Sequence, residues 1–371
     1  MAAVKTMRTR MMNRNNGPKV IVIVPVIVVA IIAVYYIFGF KIMSTIHADR
    51  SAKDIAELTG LAIEQIDAGK DTATFYVSGI TEDQIRNIND YIVSINGMVD
   101  QYTVMEKMNG GMKILLKFEI SDNYYVIDKY LNGHEIPGDR LEAIKLYEKT
   151  KEILNLVVKP SMSDYEKELK IHDYIVSHCE YGYVDTAKKY AYRAYGALVN
   201  QKAVCNGYAE AMALLLTCAG VENRIINGYA DDEPHAWNLV GIEGRWYQVD
   251  STWDDPLPDR GDFAGHMYFN VTDEIMDERH DWDKDKYIKC SDTADNYYVK
   301  SQLVVTHPSF EGVIQMGLIR DITAPVEVVV SDYSEQLYDL QFIYDINGVK
   351  KVSFTNEPYG ENNLITIYVN Q

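Results

Sequence analysis

The clearest feature of the hydropathy pattern is an unbroken apolar run, VIVIVPVIVVAIIAVYYIFGF, over residues 20–40. At a rise of about 1.5 Å per residue, a helix of this length spans roughly 30 Å, which matches the hydrocarbon core of a bilayer. Basic residues precede the run, whereas those that follow it are offset by acidic ones. The positive-inside rule therefore predicts a cytoplasmic tail over residues 1–19 and an extracytoplasmic body.

The apolar run is predicted to be an uncleaved transmembrane signal anchor. It is longer than the roughly 7–15 residues of a typical signal-peptide core, and no small-x-small cleavage site follows it. A cleaved signal peptide is the alternative, and it places the body on the same side of the membrane. We therefore expect the body of a single-pass membrane protein to lie outside the cytoplasm.

The pattern changes several times after the apolar run. Residues 41–70 are polar with partial helical spacing and predict a stalk. Residues 71–134 combine a strand pattern, an isoleucine-rich helix and a hairpin closed by glycines, which predict a small α/β module. Residues 135–290 predict a helical layer followed by an antiparallel sheet, and residues 300–371 predict a small β module. The fold class is therefore α+β.

The charge distribution argues against nucleic acid as a partner. The whole chain carries a net charge of −18, yet residues 1–46 contain six basic residues and no acidic ones, so the remainder carries −24. A body with this charge repels nucleic acid. Four cysteines in 371 residues do not make a disulfide scaffold.

The candidate nucleophile is Cys205, in the segment KAVCNGYAEAMALLLTCAG. An apolar helical stripe follows it, and Gly220 ends the predicted helix. Cys205 thus lies at a helix N-terminus, where the helix dipole and free N–H groups stabilise a thiolate. Cys218 lies near the other end of the same helix, where the dipole disfavours a thiolate. A buried, inert cysteine is the alternative interpretation of Cys205.

A base and a carboxylate occur in one predicted hairpin. The runs HAWNLVGI and RWYQVDSTW flank Glu243-Gly244, which predicts a two-residue turn. In that register Asp250 faces Trp237, and His235 lies diagonally from Asp250 on the same face of the sheet. The carboxylate can then orient the imidazole, and the imidazole can take the thiol proton. Together with the cysteine, these residue types predict attack on an amide bond through a thioester intermediate.

A zinc site built from Cys205 and His235 is the competing interpretation of the same residues. No CxxC or HxxxH spacing supports it. His172 and His178 are interpreted as helix-face residues without a catalytic role, because nothing beside them in the sequence suggests a set of ligands. We therefore expect neither a metal nor a cofactor.

Three blocks resemble the bacterial transglutaminase-like family in order and spacing: VCNGYAEAMALLLTCAGVENRIINGY, HAWNLVGIEGRWYQVDSTWDDP and MYFNVTDEIM. The resemblance covers about residues 140–290 and implies a transglutaminase-like, papain-like thiol fold for the core. It implies Cys205 as nucleophile, His235 as base and Asp250 as orienting carboxylate. It does not imply protein cross-linking, because the family includes peptidases, amidases, deamidases and members that have lost activity.

The rest of the site is less well marked. Animal transglutaminases have an oxyanion-stabilising Trp well upstream of the cysteine, but no Trp precedes Cys205 here. The Cys205 N–H can supply one oxyanion donor, and Tyr195 and Gln201 are the candidates for a second. Trp237 and Trp253 are expected to wall the site, with core packing as their alternative role.

The combined expectation is an extracytoplasmic thiol enzyme that acts on peptide or side-chain amide bonds of a protein or peptide, with a cell-wall peptide as one candidate substrate. Hydrolysis is favoured over cross-linking, because no acceptor-amine site is recognisable in the sequence. The alternative is a catalytically silent surface module that binds peptide or cell-wall polymer.

Overall fold

The computed structural model describes residues 50–370, except for 93, 257–262, 332, 335–336 and 347. The predicted cytoplasmic tail, the transmembrane anchor and the first part of the stalk lie outside these residues and stay predictions. Within the described part of the chain, no helix combines the length and apolarity needed to cross a membrane.

A small sheet with two helices opens the described chain. Its elements are β1 (Arg50–Ala52), α1 (Ile55–Asp67), β2 (Thr72–Val77), α2 (Glu82–Arg86), β3 (Gly97–Met108) and β4 (Gly111–Ile120). The strand order is β1-β2-β4-β3, with β1 parallel to β2 and β2 antiparallel to β4. The isoleucine-rich helix is shorter than predicted, because α2 ends at Arg86 and a 3-10 turn follows over Ile88–Asp90.

The predicted stalk differs from the structure from Arg50 onward. β1 adds an edge strand to the sheet, and Leu58 and Ala62 of α1 are fully buried. Their spacing of four residues places both on one helix face, which is the pattern of a packed helix. Arg50–Ala52 and α1, which precede residue 71, therefore belong to the α/β module.

The chain divides into two compact units, one built on this sheet and one that contains everything from Phe118 onward. The second unit begins with a helical layer and a short two-stranded parallel pair. These elements are α3 (Asp122–Asn132), α4 (Leu141–Val157), α5 (Asp164–His178), β5 (Glu180–Tyr181), α6 (Ala194–Leu198), β6 (Lys202–Ala203) and α7 (Cys205–Cys218), with a 3-10 segment over Asp185–Tyr192.

Helix α7 is the centre of this layer. Every residue from Gly207 to Leu216 is buried, so the helix packs on all sides. A helix that is apolar all round is typical of the middle of a large core. The partly exposed residues of this helix are Cys205 and Asn206 at its start and Thr217 near its end.

An antiparallel sheet follows the helical layer. It contains β7 (Glu222–Ala230), β8 (Glu233–Ile242), β9 (Arg245–Val249) and β10 (His280–Asp281), in the order β10-β7-β8-β9. Glu243 and Gly244 both have positive φ and close the β8–β9 hairpin, which pairs Ile242 with Arg245 and Asn238 with Val249. This is the predicted two-residue turn, and the predicted hairpin register is confirmed.

The C-terminal part forms a third four-stranded sheet, packed with a helix. Its elements are α8 (Asp273–Met276), α9 (Tyr297–Lys300), β11 (Val304–Val305), α10 (His307–Arg320), β12 (Val326–Val330), a 3-10 turn (Gln341–Asp345), β13 (Lys351–Tyr359) and β14 (Asn362–Asn370). The sheet order is β11-β12-β14-β13. Helix α10 buries Phe310, Ile314 and Leu318 in the core of this module. The prediction of a purely β module is therefore incomplete.

Truncating a side chain of α7 tests how much of the stability depends on the packing of this helix. Leu214 is fully buried in the main core, whereas Leu156, at the end of α4, is exposed. We expect Leu214→Ala to lower the free energy of unfolding by about 2–5 kcal/mol, because buried contacts are lost and a cavity forms. Leu156→Ala is the matched control and should change it by less than about 0.5 kcal/mol. Urea titration of both variants measures this, and equal effects would contradict the packing of α7.

Candidate active site

Cys205 is the first residue of α7 and is partly exposed. Val204 precedes the helix in an extended conformation, so the chain turns sharply at this point. The Asn206 side chain donates a 2.7 Å hydrogen bond to the Tyr192 carbonyl. The first turn is therefore fixed against the 3-10 segment, and the thiol lies at the N-terminus of a buried helix as predicted.

Gly207 shows how closely this turn packs. A Cβ added there would lie 2.4 Å from the carbonyl oxygen of Ala191 and 2.8 Å from the Ala203 Cβ. No side chain fits at those distances, so the close approach of two backbone segments requires glycine.

His235 and Asp250 are brought together by the β8–β9 hairpin. His235 lies on β8, and Asp250 follows the last residue of β9. The His235 Nε2 lies 2.7 Å from the Asp250 Oδ2, and both side chains are more than nine-tenths buried. Because Nε2 is held by the carboxylate, Nδ1 is the ring nitrogen left for the thiol of Cys205.

The electrostatics of the pair favour a charged imidazole. Burial opposes this charge, but the charge and hydrogen bond of Asp250, together with a hydrogen bond to Cys205, raise the pKa of His235 to about 10. Burial likewise opposes the carboxylate of Asp250, but the charge and hydrogen bond of His235 and a hydrogen bond from His280 hold its pKa well below the usual range. The pair is therefore ionised at neutral pH.

His280 is a member of the site that the sequence does not reveal. It lies on the two-residue strand β10, and its Nε2 is 3.0 Å from the same Asp250 oxygen that binds His235. The other Asp250 oxygen accepts the backbone N–H groups of Thr252 at 2.9 Å and Trp253 at 3.2 Å. Four donors thus converge on one buried carboxylate. In the sequence, the only indication of His280 is that it follows the hairpin. Its spacing from Asp250 does not indicate a role.

The two predicted wall residues have different positions. Trp237 is 1% exposed and donates its ring N–H to Gln248 at 2.7 Å, so it is a core residue that stacks beside His235. Trp253 is half-buried, and its ring lies 4.6 Å from that of His280. Only Trp253 is placed to meet a substrate.

The two predicted oxyanion donors do not lie together with Cys205. Tyr195 is buried in α6, stacks near Tyr190 and lines a cavity of about 610 Å³ whose lining does not include Cys205. Gln201 has an exposed side chain and a positive φ of 55°, and its carbonyl accepts the N–H of Glu180. Their roles as donors stay predictions that this geometry does not favour.

Tyr181 is a second residue that sequence reasoning misses. The β5–β6 pair sets it opposite Ala203, two positions before Cys205. Partial burial, followed by the neighbouring charges of Cys205, Tyr192 and Asp250, raises the pKa of Tyr181. Its phenol is thus protonated at neutral pH, on a residue that is still 45% exposed.

The other three cysteines, Cys179, Cys218 and Cys290, are free and buried. Burial raises the pKa of Cys179 and of Cys218 to about 12, so neither thiol ionises at neutral pH. Cys205 is therefore the one accessible thiol of the chain, as the contrast between the two ends of α7 predicts.

Two groups of described side chains have ligand atoms close enough to hold a metal ion. One is His235, Asp250 and His280, whose nitrogens are already directed at a single carboxylate oxygen. The other is His172, Asp173 and His266. The prediction that His172 is a helix-face residue without a catalytic role does not anticipate this group, in which His172 is fully buried on α5 with Asp173 and Asp254 beside its ring.

Comparison with known proteins bears on the same part of the chain. Residues 151–251, which include Cys205, His235 and Asp250, match the model of the Transglutaminase-like superfamily. The kyphoscoliosis peptidases of Mus musculus and Homo sapiens are 32% and 31% identical over 123 and 122 residues. Each alignment covers 29% of this chain and 18% of the relative, so the chain spans less than a fifth of the length of these relatives.

Solved structures give weaker likenesses. A transglutaminase structure has a TM-score of 0.26 at 13% identity, with 55% of this chain and 59% of that chain covered. The periplasmic domain of TgpA from Pseudomonas aeruginosa, bound to ethylmercury, has a TM-score of 0.23 at 13% identity, with 45% and 70% covered. The sequence matches carry the assignment: the chain contains a transglutaminase-like domain within an α+β fold. The bacterial part of the predicted resemblance stays a prediction.

Alkylation of Cys205 tests the ionised arrangement. Because the pKa of His235 is raised to about 10, its imidazole stays charged across neutral pH and favours the thiolate. We expect iodoacetamide to label Cys205 faster at neutral pH in the unchanged protein than in His235→Ala, because the charged imidazole favours the thiolate. In His235→Ala the rate should fall at neutral pH and rise with pH, as for an ordinary thiol.

His134→Ala is the matched control for this experiment, because His134 also contacts a carboxylate, Asp128 at 2.9 Å, but is exposed. Its labelling profile should equal that of the unchanged protein. A profile in the unchanged protein that already rises like that of a free thiol, with no effect of His235→Ala, contradicts the arrangement.

Proposed function

We propose that this chain is an extracytoplasmic thiol enzyme that cleaves amide bonds of a protein or peptide through Cys205, His235 and Asp250. The observation that carries the proposal is the 2.7 Å contact of His235 with the buried Asp250. Cys205, the first residue of α7, is a neighbour that also contributes to the raised pKa of His235. The transglutaminase-like domain supports it, because the three residues lie inside the matched region.

The proposed reaction has two halves. The thiolate of Cys205 attacks the carbonyl carbon of the amide, and a C–S bond forms. As the C–N bond breaks, the imidazolium of His235 gives its proton to the leaving amine, which leaves a thioester. Water then attacks the thioester carbon and gives one proton to His235. As the C–S bond breaks, the products are a carboxylic acid and the regenerated thiolate of Cys205 beside the imidazolium of His235.

Asp250 and His280 support this proton transfer without touching the substrate. Asp250 fixes Nε2 of His235, so Nδ1 remains the nitrogen that takes and returns the proton. His280 donates to the same carboxylate oxygen and thereby keeps Asp250 ionised. We therefore infer that His280 is a positioning residue.

The oxyanion of the intermediate needs donors that are in place beforehand. The first N–H groups of a helix have no intrahelical acceptor, so the Cys205 N–H at the start of α7 supplies one donor. We infer that Tyr181 is a better candidate for the second donor than Tyr195 or Gln201, because the β5–β6 pair sets it opposite Ala203, two positions before Cys205.

Hydrolysis is proposed over transamidation. Transamidation needs a site that holds an acceptor amine, and no such site was recognisable in the sequence. The extracytoplasmic location is proposed from the apolar run over residues 20–40 and its basic N-terminal flank alone.

Turnover in labelled water tests both the chemistry and its class. The full chain would be incubated with a peptide library in H₂¹⁸O, with and without an added primary amine, and the products analysed by mass spectrometry. We expect one ¹⁸O in each new carboxylate and little amine adduct. Cys205→Ala should abolish turnover, whereas Cys218→Ala, a cysteine of the same helix, should retain it.

Two outcomes would count against the proposal. A dominant amine adduct would replace hydrolysis by acyl transfer. No turnover of any amide, with peptide or cell-wall binding that survives Cys205→Ala, would favour the silent binding module.

The role of His280 can be separated from simple support of the fold. A hydrogen bond to a charged group is worth about 1.5–3 kcal/mol, so His280→Ala should lower kcat about ten- to a hundredfold with little change in KM. Loss of this bond also raises the pKa of Asp250, so the acid limb of the kcat profile should move to higher pH. His280→Gln, which keeps a donor, should recover part of the loss. An unchanged acid limb in His280→Ala would leave only a structural role.

A further inference from the structure

The largest concentration of buried ionisable groups away from Cys205 surrounds His172 and His266. His172 lies in the middle of α5 and is fully buried, whereas His266 lies in the loop before α8 and is 7% exposed. Asp173 lies between the two rings. Its Oδ1 is 2.9 Å from the His266 Nε2 and 3.4 Å from the His172 Nδ1.

The far nitrogen of each imidazole also faces a carboxylate. The His172 Nε2 lies 3.1 Å from the Asp254 Oδ2, and the His266 Nδ1 lies 3.6 Å from the Glu327 Oε2. Each ring thus has one nitrogen directed at Asp173 and the other held by an outer carboxylate. This is the arrangement by which proteins orient histidines that bind a metal and raise their basicity.

We propose that His172, Asp173 and His266 form a binding site for a divalent transition-metal ion, with Zn²⁺ as the best match. Two imidazoles and a carboxylate are ligands that Zn²⁺ prefers. In a tetrahedral zinc site the ligand atoms lie roughly 3.3 Å apart. The three ligand atoms here lie within 4.8 Å of one another, with the two shorter separations of 2.9 and 3.4 Å, so only small side-chain rotations are needed.

The surroundings hold the ligands in place. The Tyr297 ring stacks on His266 with centroids 3.7 Å apart and planes 5° apart. The second oxygen of Asp254 accepts the N–H of Tyr268 at 2.8 Å, so this outer carboxylate is itself oriented. Preorganised rings of this kind lose little conformational freedom when a metal binds.

The cluster has a path by which an ion can enter, and it has more carboxylates than imidazoles. Asp173 is one-third exposed, and it lines a cavity of about 1100 Å³ together with His266 and Glu327. Three carboxylates, Asp173, Asp254 and Glu327, meet two imidazoles at this point. A divalent cation offsets this excess of negative charge in a buried setting, where charge must be compensated.

The other group of possible ligands does not fit a metal as well. Both groups direct two imidazole nitrogens at one carboxylate oxygen, so this feature does not separate them. The second oxygen of Asp250, however, already accepts two backbone N–H groups. The His280 Nδ1 has no hydrogen-bond partner among the described residues, so no outer carboxylate orients that ring. The proposed site is therefore distinct from the Cys205 site and does not depend on its activity.

Zinc titration of the purified full chain tests the site. After EDTA treatment and dialysis, Zn²⁺ binding would be measured by isothermal titration, and Co²⁺ binding by its visible absorption. We expect one equivalent of either metal. His266→Ala and Asp173→Asn should weaken Zn²⁺ binding about a hundredfold or more, and Glu327→Gln about ten- to a hundredfold, as for an outer-shell partner.

Three control variants separate this site from other zinc ligands. His134→Ala removes an exposed histidine that also contacts an aspartate, and Glu311→Gln removes an exposed glutamate of α10. Cys205→Ser removes the accessible thiol. All three should keep the unchanged affinity.

The result that overturns the proposal is plain. A folded chain that binds no zinc, or whose affinity does not change in Asp173→Asn and His266→Ala, would make the cluster a metal-free network of imidazolium–carboxylate pairs. Loss of binding only in Cys205→Ser or His280→Gln would assign the ion to the other group. Because Asp173 is partly exposed, Asp173→Asn is the variant least expected to unfold, and circular dichroism in EDTA checks that each variant is folded.

Discussion

The buried charge of Asp250 is the constraint on which the arrangement around Cys205 depends. An ionised carboxylate without solvent is costly unless every lone pair finds a donor. Here one oxygen takes the imidazoles of His235 and His280, and the other takes the backbone N–H groups of Thr252 and Trp253. The end of the β8–β9 hairpin, the turn after it and the short strand β10 are therefore held to a single negative charge. Both the packing of these elements and the proposed proton transfer depend on the ionised Asp250, so a change at this carboxylate alters both.

The part of this arrangement that lies close together in sequence could be predicted. The Glu243-Gly244 turn sets the hairpin register, and a register once set places His235 and Asp250 on the same face of the sheet. The position of Cys205 at a helix start follows equally from local pattern. His280 could not be found this way, because it lies thirty residues beyond Asp250 on a strand of two residues. No periodicity exists over two residues, and the pairing that brings them together is tertiary.

The cluster around His172 could not be predicted for a related reason. The partners of His172 are Asp254 and, through Asp173, His266, and tertiary packing alone brings them to the helix. These lie some eighty to ninety positions away in the chain. At the two ends of the body, α1 and α10 were not predicted as packed helices, and the reason is different. Their apolar stripes are interrupted by polar residues and glycines, so that local pattern resembles a stalk or a strand until burial is known.

The close backbone contact at Gly207, together with the hydrogen bond of the Asn206 side chain, fixes the position of the thiol. The first turn of α7 lies so close to the Ala191 carbonyl that direct contact fixes the distance between these two backbone segments. Side chains of the neighbouring 3-10 segment, such as the exposed Tyr192, are then free to change without moving the sulfur. The position of the Cys205 sulfur and the side chains that would contact a substrate are thus set by separate parts of the chain. A surface of this kind can be altered for a new substrate while the geometry of attack stays constant.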